Sequence, residues 1–270
     1  MTDREYRARE GISRSELWRL NPDNGGTPEK FKWAQEHPEP ATPALIFGQV
    51  VHKLLLEPDT FFEEFAVAPA VDRRTKDGKA AYAEFLAGLN DRQEIKLEDM
   101  EKAMDMVKVL RETPFVSSLL FGAETEKPLF WADEYTGEPC KVRIDALKEI
   151  GGDPIIIDYK STGDASADGF IRSALKYGYD FQSGMYCEGV KVLTGKNPRF
   201  VFVVQEKEAP YSVNVLEADS QFILRGTDKF RELLGIYHEC NLTGNWYGLM
   251  GPDPVISTLM LPAWAGGDKN

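Results

Sequence analysis

The sequence predicts a mixed α/β (α+β) fold, in which a central mixed β-sheet is flanked by helices and preceded by an added helical part. Before residue 112, apolar residues recur at three- and four-residue steps, as in amphipathic helices. Three strand-like segments follow closely between residues 128 and 160, and helical and strand patterns then alternate to about residue 240. This order is typical of a sheet that is covered by helices.

The chain length of 270 residues suits one large domain. We expect a single domain over residues 1–270, made of an N-terminal helical part at about 10–112, a core at about 115–240 and a C-terminal tail at 244–270. The tail is rich in Trp, Gly and Pro and shows no clear periodicity.

The N-terminal part begins with a short predicted helix at residues 11–20. Ser13 can cap it, because Glu16 follows at the spacing of a capping box. A segment rich in Pro, Gly and Asn at residues 21–43 is predicted to be a loop.

Two longer helices are predicted after this loop. Apolar positions from Leu45 to Leu55 predict the first, which contains His52, and a second apolar stripe predicts a helix at 97–112. The segment at residues 71–82 lies between them and carries the one tight basic cluster of the chain, with few apolar residues. It is predicted to be mobile.

The core contains five predicted strands and three predicted helices. The strands are predicted at residues 128–132, 139–147, 154–160, 199–205 and 211–216. The helices are predicted at residues 166–177, 180–193 and 222–237.

The second and third strands are predicted to form a hairpin, because Gly151-Gly152 is a strong signal for chain reversal. If the chain folds back there, paired positions sum to 303, and Asp145 lies opposite Asp158. Side chains alternate along a strand, so Asp158 and Lys160 point to the same face. Two carboxylates that face each other across a sheet repel, and a divalent cation would remove that cost.

This arrangement suits Mg²⁺ or Mn²⁺, because hard cations prefer carboxylate, carbonyl and water oxygens. Such an ion stabilises charge on a phosphate and lowers the pKa of an attacking water, and Lys160 could orient that water. The alternative is an ordinary ion pair between Lys160 and an Asp on a surface strand. The D-x-K pattern alone is weak, but here it follows the apolar run Ile155-Ile156-Ile157, and charges at the end of a buried strand need a reason.

Other polar residues have both a structural and a functional interpretation. A histidine on an apolar helix is more often a hydrogen-bonded core residue, but beside two aspartates His52 becomes a candidate metal ligand. Gln182 and Tyr186 share a helix face and could be simply polar surface. Ser13 and Ser15 could bind a phosphate or simply cap a helix. Four basic residues could contact a nucleic-acid backbone or form a solvated loop: Arg73, Arg74, Lys76 and Lys79.

Composition excludes several classes of protein. The net charge is −12, from 32 basic and 44 acidic residues, which argues against a broadly basic nucleic-acid coat but not against a local basic channel. Three widely spaced cysteines make a disulfide framework unexpected. The chain has no G-x-S-x-G, Walker-type or H-E-x-x-H motif, no apolar run of membrane-spanning length and no signal-peptide pattern. We therefore expect no membrane association and a cytoplasmic location.

Several motifs together resemble a known family. Asp145 followed by Asp158-Tyr159-Lys160 resembles the signature of the PD-(D/E)xK nucleases, whose core is like that of restriction endonucleases. His52 in Phe47-Gly48-Gln49-Val50-Val51-His52 and the Gln182-x-x-x-Tyr186 pair are similar to the RecB-like branch. Two further segments resemble the nuclease domain of RecE-like exonucleases (exonuclease VIII): Gly11-Ile12-Ser13-Arg14-Ser15-Glu16-Leu17 and the Leu56-Glu57-Pro58 that follows His52. The Pro of the family signature is absent, since Ile144 precedes Asp145.

The resemblance implies a Mg²⁺-dependent exonuclease that digests one strand of duplex DNA from its 5′ end. Such enzymes work in phage or prophage recombination systems beside a single-strand annealing protein, and they form ring-shaped homo-oligomers. The resemblance therefore implies a bacterial or phage-infected cell as the setting. The resemblance also implies the metal ligands, which are His52, Asp145, Asp158 and the Tyr159 carbonyl. It implies Lys160 as the catalytic lysine, and Gln182 and Tyr186 as residues that support the site and contact DNA. Glu126 corresponds to an acidic residue on the first core strand.

Two other functions remain open at this point. The same core could belong to an endonuclease, which would cut a closed circular duplex, whereas an exonuclease would not. It could also belong to a non-cleaving DNA-binding or assembly protein, which intact Asp145, Asp158 and Lys160 disfavour.

Overall fold

The computed structural model describes residues 1, 3–256 and 258–261, so residue 257 and the last part of the predicted tail, residues 262–270, lie outside the described residues. The helices are α1 (Asp3–Ala8), α2 (Arg14–Leu17), α3 (Pro28–Glu36), α4 (Pro43–Leu56), α5 (Phe61–Glu64), α6 (Lys76–Ala87), α7 (Leu97–Glu112), α8 (Pro114–Leu120), α9 (Ala167–Tyr177), α10 (Tyr179–Thr194) and α11 (Ser220–Thr243). The strands are β1 (Ile12–Ser13), β2 (Phe65–Val67), β3 (Gln93–Ile95), β4 (Glu124–Ala132), β5 (Pro139–Ile150), β6 (Asp153–Thr162), β7 (Arg199–Glu206) and β8 (Val213–Glu217). Short 3-10 helices cover Trp18–Leu20, Pro22–Asn24 and Pro58–Thr60.

The main sheet has six strands in the order β1-β5-β6-β7-β8, with β4 paired to the other edge of β5. It is mixed: β1–β5 and β6–β7 are parallel, whereas β4–β5, β5–β6 and β7–β8 are antiparallel. Helices cover both faces. The predicted fold class, a mixed α/β fold with a central mixed sheet flanked by helices, is confirmed. Short β2 and β3 form a separate parallel pair.

The predicted hairpin forms with the predicted register. Ile150 pairs with Asp153 and Ala146 with Ile157, so paired positions sum to 303. Gly151 and Gly152 both have positive φ, which glycine adopts without steric cost. Counted from the turn, the last paired residue of β5 is Ala146, and Asp145 is the next residue beyond the paired part.

Each face of the sheet has its own hydrophobic core. The α10-side core contains Ile144, Ile156 and Phe181, and it fills the space between the sheet and helices α9, α10 and α11. The α4-side core contains Ile157 and Val50, and it lies under α4 and α7. The strand β6 contributes alternate residues to the two cores, so its charged end is held between two packed layers.

Helix α10 is held against α11 at a close crossing of two backbones. A Cβ added at Gly226 would lie 1.7 Å from the carbonyl oxygen of Asp180, and one at Gly184 would lie 2.2 Å from the Thr227 nitrogen. Only glycine permits this approach, which positions the helix that carries Gln182.

Gly226→Ala is therefore expected to destabilise the fold by about 1–3 kcal/mol or more, because the two helices must move apart. Gly235→Ala in the same helix is the matched control, since nothing lies within 4 Å of its added Cβ. That variant should be neutral or more stable, by up to about 1 kcal/mol. Urea unfolding of both variants measures the difference, and equal midpoints would contradict the close-crossing account.

Two segments predicted to lack regular structure are helical. Helix α3 lies within the predicted loop at 21–43, where Thr27 caps it and Pro28 occupies its first turn. Helix α6 covers most of the predicted mobile basic segment, and Thr75 caps it by accepting a hydrogen bond from the Gly78 nitrogen. Both predictions were wrong because Pro and Gly were interpreted as loop signals, although Pro in the first turn and a Thr cap favour helix initiation. Within the described residues, no helix combines the length and the apolar character needed to cross a membrane.

Candidate active site

The candidate site lies where β5 changes partners. One edge of β5 pairs with β1 up to Lys141 and with β6 from Ala146 onward. Asp145 lies at the end of the gap between these two partners. Its Oδ2 accepts a hydrogen bond from the backbone nitrogen of Tyr159 at 2.9 Å. A side chain thus takes the place of a main-chain hydrogen bond at the point where β5 and β6 separate, which we call the fork.

His52 reaches Asp145 from helix α4, with Nε2 2.9 Å from Asp145 Oδ2. The other ring nitrogen, Nδ1, is 3.1 Å from Glu126 Oε1 on β4. Burial opposes the charged form of His52, but Asp145 and Glu126 together outweigh it and raise the histidine pKa. Burial likewise favours a neutral Asp145, yet the charge and hydrogen bond of His52 lower the carboxyl pKa.

Asp158 is fully buried one strand away. Its Oδ1 accepts a hydrogen bond from Gln182 Nε2, and its Oδ2 forms an ion pair with Lys160 Nζ. Burial raises the pKa of Asp158 to about 6, although Lys160 acts in the opposite direction. Burial disfavours the lysine cation as well, but the charge of Asp158 raises its pKa, so Lys160 is a protonated donor.

Helix α10 supplies the polar residues above the aspartates. Gln182 is buried, and one turn later Tyr186 packs into the α10-side core. Burial, followed by the charges of Asp158 and Asp145, raises the pKa of Tyr186 well above its usual value. Tyr179 begins the helix, with its ring centroid 4.9 Å from Lys160 Nζ. The sequence prediction included Gln182 and Tyr186 but missed Tyr179.

Tyr159 contributes to the site only through its backbone. Its side chain points to the opposite face of the sheet, into the α4-side core, where the hydroxyl donates a 3.0 Å hydrogen bond to Gln205 Oε1. The predicted role of its carbonyl oxygen as a metal ligand stays a prediction.

The donor set fits a hard divalent cation. Asp145, Asp158 and His52 lie together at the fork. Within the described part of the chain, the buried Oδ2 of Asp158 makes no hydrogen bond beyond its ion pair with Lys160. No group of three His, Cys, Asp or Glu side chains in that part already has the arrangement of a metal site. The two aspartates are instead neutralised separately, by His52 and by Lys160.

The Ser13 and Ser15 hydroxyls lie at the start of α2. The Ser13 nitrogen donates to the Glu16 carboxylate at 2.9 Å, as the capping box predicts. The Ser13 hydroxyl donates to the same carboxylate, and Ser15 Oγ is 3.3 Å from Ser13 Oγ. The sequence reasoning gave no role to Arg14 between them. Arg14 Nη2 donates to the carbonyls of Tyr177 and Gly178, which fastens β1 and α2 to the turn before α10.

The basic segment is largely self-neutralised. Arg73 Nη2 is 3.1 Å from Glu94, with its guanidinium 3.5 Å from the Tyr82 ring centroid. Arg74 pairs with Asp72. Lys76 and Lys79 are exposed in the first turns of α6. These two lysines are therefore the better candidates for contact with a phosphate backbone.

Replacing Lys76 and Lys79 by Ala is expected to weaken DNA binding and to reduce the slope of log affinity against log salt by about 1–2, because each phosphate contact releases about one counterion. Arg74→Ala is the control and should leave the slope nearly unchanged, since Asp72 already neutralises it. Fluorescence anisotropy with labelled duplex at several salt concentrations gives the slopes. An unchanged slope in the double variant would assign these lysines to solvation.

Comparison with known proteins identifies the family of this chain. Residues 28–249 match a family described as a PDDEXK-like domain of unknown function (DUF3799). The chain belongs to this family. The expected PD-(D/E)xK membership is thus confirmed, whereas the finer resemblance to RecE-like exonucleases stays a prediction.

Solved structures give a similar result for the fold of this PDDEXK-like chain. The crystal structure of an exonuclease candidate from Eubacterium rectale aligns with a TM-score of 0.59 at 14% identity, covering 97% of this chain and 96% of the other. At that identity the likeness concerns the fold alone. The crystal structure of SSO0001 aligns at 15% identity over 83% of this chain and 76% of the other, and its TM-score of 0.37 is too low to support an argument. No curated protein matches.

Proposed function

We propose that this PDDEXK-like protein is a deoxyribonuclease that uses Mg²⁺ or Mn²⁺ and digests one strand of duplex DNA from the 5′ end. The observation that carries the proposal is the meeting of Asp145, Asp158 and Lys160 at the β5–β6 fork, with His52 on one carboxylate and Gln182 on the other. Polarity and preference for ends rest on the resemblance to RecE-like exonucleases. That resemblance also leads us to propose a ring-shaped homo-oligomer, a cytoplasmic location and a single-strand annealing protein as partner in a phage or prophage recombination system.

The residues at the fork have separate tasks in phosphodiester hydrolysis. His52 Nε2, both aspartates and the Tyr159 carbonyl would hold the divalent ion, which when bound supplies positive charge against the phosphate and lowers the pKa of a water molecule. Lys160 stays protonated, so its ammonium donates hydrogen bonds to the attacking water or to a phosphate oxygen. Gln182 fixes the Asp158 carboxylate by donating to Oδ1.

The proposal is tested with linear duplexes labelled at either the 5′ or the 3′ end, incubated with Mg²⁺ beside a closed circular duplex. We expect early release of the 5′ label, late release of the 3′ label and an intact circle. Cleavage of the circle would show an endonuclease, and no digestion of any substrate would contradict the proposed activity.

A further inference from the structure

We propose that Glu126 is a positioning residue for the metal site and not a metal ligand: it fixes the orientation and the protonated nitrogen of the His52 ring, and Arg143 in turn fixes Glu126. This inference rests on the proposed function, because it concerns how the proposed metal ligand His52 is aimed. It assigns Glu126 a task different from the direct contact expected of an acidic residue in a nuclease site.

Both oxygens of the Glu126 carboxylate are engaged by protein groups. Oε1 is 3.1 Å from His52 Nδ1, and Oε2 is 2.6 Å from Arg143 Nε. Glu126 is 8% exposed, and a buried carboxylate is rarely tolerated without such partners. Its position is therefore determined by His52 on one side and Arg143 on the other.

The backbone at Glu126 is specialised for this arrangement. Its φ is +50°, in the left-handed region that side chains other than glycine rarely adopt. It stands between two ladder pairs, Thr125–Ala146 and Lys127–Ile144, and so lies across from Asp145. On β5, Ile144 belongs to the α10-side core and Ala146 to the α4-side core, so the alternation of faces also breaks at this point. Irregular backbone on both strands accompanies the contact with His52.

The contact determines which nitrogen of His52 is available. A neutral imidazole carries one N–H, and the partner of one nitrogen sets the state of the other. In this structure both ring nitrogens face carboxylates, Nδ1 at 3.1 Å from Glu126 and Nε2 at 2.9 Å from Asp145, so both are donors. If a metal ion took the place of the Nε2 proton, Nδ1–H would stay on Glu126 and Nε2 would present its lone pair to the ion. Histidine ligands of metal ions commonly donate their other N–H to a carboxylate in this way.

The test is a double-mutant cycle read by Mn²⁺ binding, measured calorimetrically on the full chain without DNA. Glu126→Ala is expected to weaken Mn²⁺ binding by about 10- to 100-fold. In a His52→Ala background, the same change should cost at most about twofold, because Glu126 acts through His52. Glu217→Ala is the control, since it breaks an exposed Glu–Arg pair on β8 and should leave Mn²⁺ affinity unchanged.

Each other outcome overturns the inference in a recognisable way. A Glu126 effect that persists without His52 identifies a direct metal ligand, and no effect in either background identifies a plain partner for Arg143. If the wild-type chain binds no Mn²⁺, the proposed metal-dependent function itself fails. Should Glu126→Ala not fold, Glu126→Gln replaces it, because it keeps the side-chain volume.

A spectroscopic measurement gives an independent reading. In the Mg²⁺-loaded wild-type protein, ¹⁵N NMR should show the His52 proton on Nδ1, protected from exchange by Glu126. Loss of that protected Nδ1–H signal is expected in Glu126→Ala. An unprotected Nδ1–H in the wild type would contradict the proposed orientation.

Discussion

Lys160→Ala is expected to lower the rate of Mg²⁺-dependent digestion of linear duplex DNA by at least about 100-fold. The lysine is the one ammonium ion-paired with Asp158 in the described site, and the charge of that carboxylate keeps it protonated despite burial. In the proposed mechanism, its loss removes a charged donor that stabilises the negative charge developing on the phosphate. Because the effect arises in the transition state, kcat should fall much more than KM rises.

Lys148→Ala provides the matched control on the same hairpin. Lys148 is partly exposed and donates to the Ser118 carbonyl at 2.7 Å. It lies three residues beyond Asp145 on β5, where it pairs with Ile155 and stands outside the fork. Its replacement should leave kcat within about twofold of wild type, since surface changes of this kind have small effects. Digestion by Lys160→Ala at the wild-type rate would remove Lys160 from the mechanism.

In the metal-free protein, the wild type is expected to lose stability on the order of 2–3 kcal/mol between about pH 4 and pH 6. Asp158→Asn is expected to abolish this loss. Burial raises the pKa of Asp158 from 3.8 to about 6 in the folded protein. Within this window the folded state keeps a proton that the unfolded chain has already released. Stability is therefore greatest below the unfolded pKa and falls as the pH rises through the folded value, above which the penalty is constant.

The difference between the two proteins removes the groups that do not interact with Asp158. Glu126, whose pKa burial raises to about 7, titrates in both proteins and cancels. Asp145, His52 and Lys160 interact with Asp158, so the difference reports Asp158 together with these neighbours. Urea unfolding with a chelator present, repeated at half-unit steps from pH 4 to pH 8, gives the two stability curves. Parallel curves would show that Asp158 has an ordinary pKa in the folded state.

The sequence predicted the centre of the site for clear physical reasons. The alternation of side chains along a strand and the reversal at Gly151-Gly152 were sufficient to place Asp158, Lys160 and Asp145 together, and the observed register agrees. The contact between His52 and Asp145 joins residues 93 positions apart, and no local pattern predicts it. The sequence offered His52 only as a candidate, and the resemblance to nucleases gave it a role at the two aspartates.

The parts that were missed depend on long-range packing. The two-residue strand β1 has no periodicity of its own, and it exists because it pairs with β5 at Cys140. The left-handed backbone at Glu126 lies within an otherwise ordinary strand pattern, so no local signal marks it. Arg14 and Gly226 matter through contacts with helix α10 or the turn before it, which is distant from both in the sequence.

The release of nucleotides from a linear duplex tests the central claim most directly, when wild type and Asp158→Asn are compared with Mg²⁺ and with a chelator. If the fork is a nuclease site, the wild type releases nucleotides only when the metal ion is present. Asp158→Asn then releases none, while circular dichroism shows that both proteins are folded. Equal metal-dependent release by the folded variant would contradict a nuclease site built around Asp145, Asp158 and Lys160.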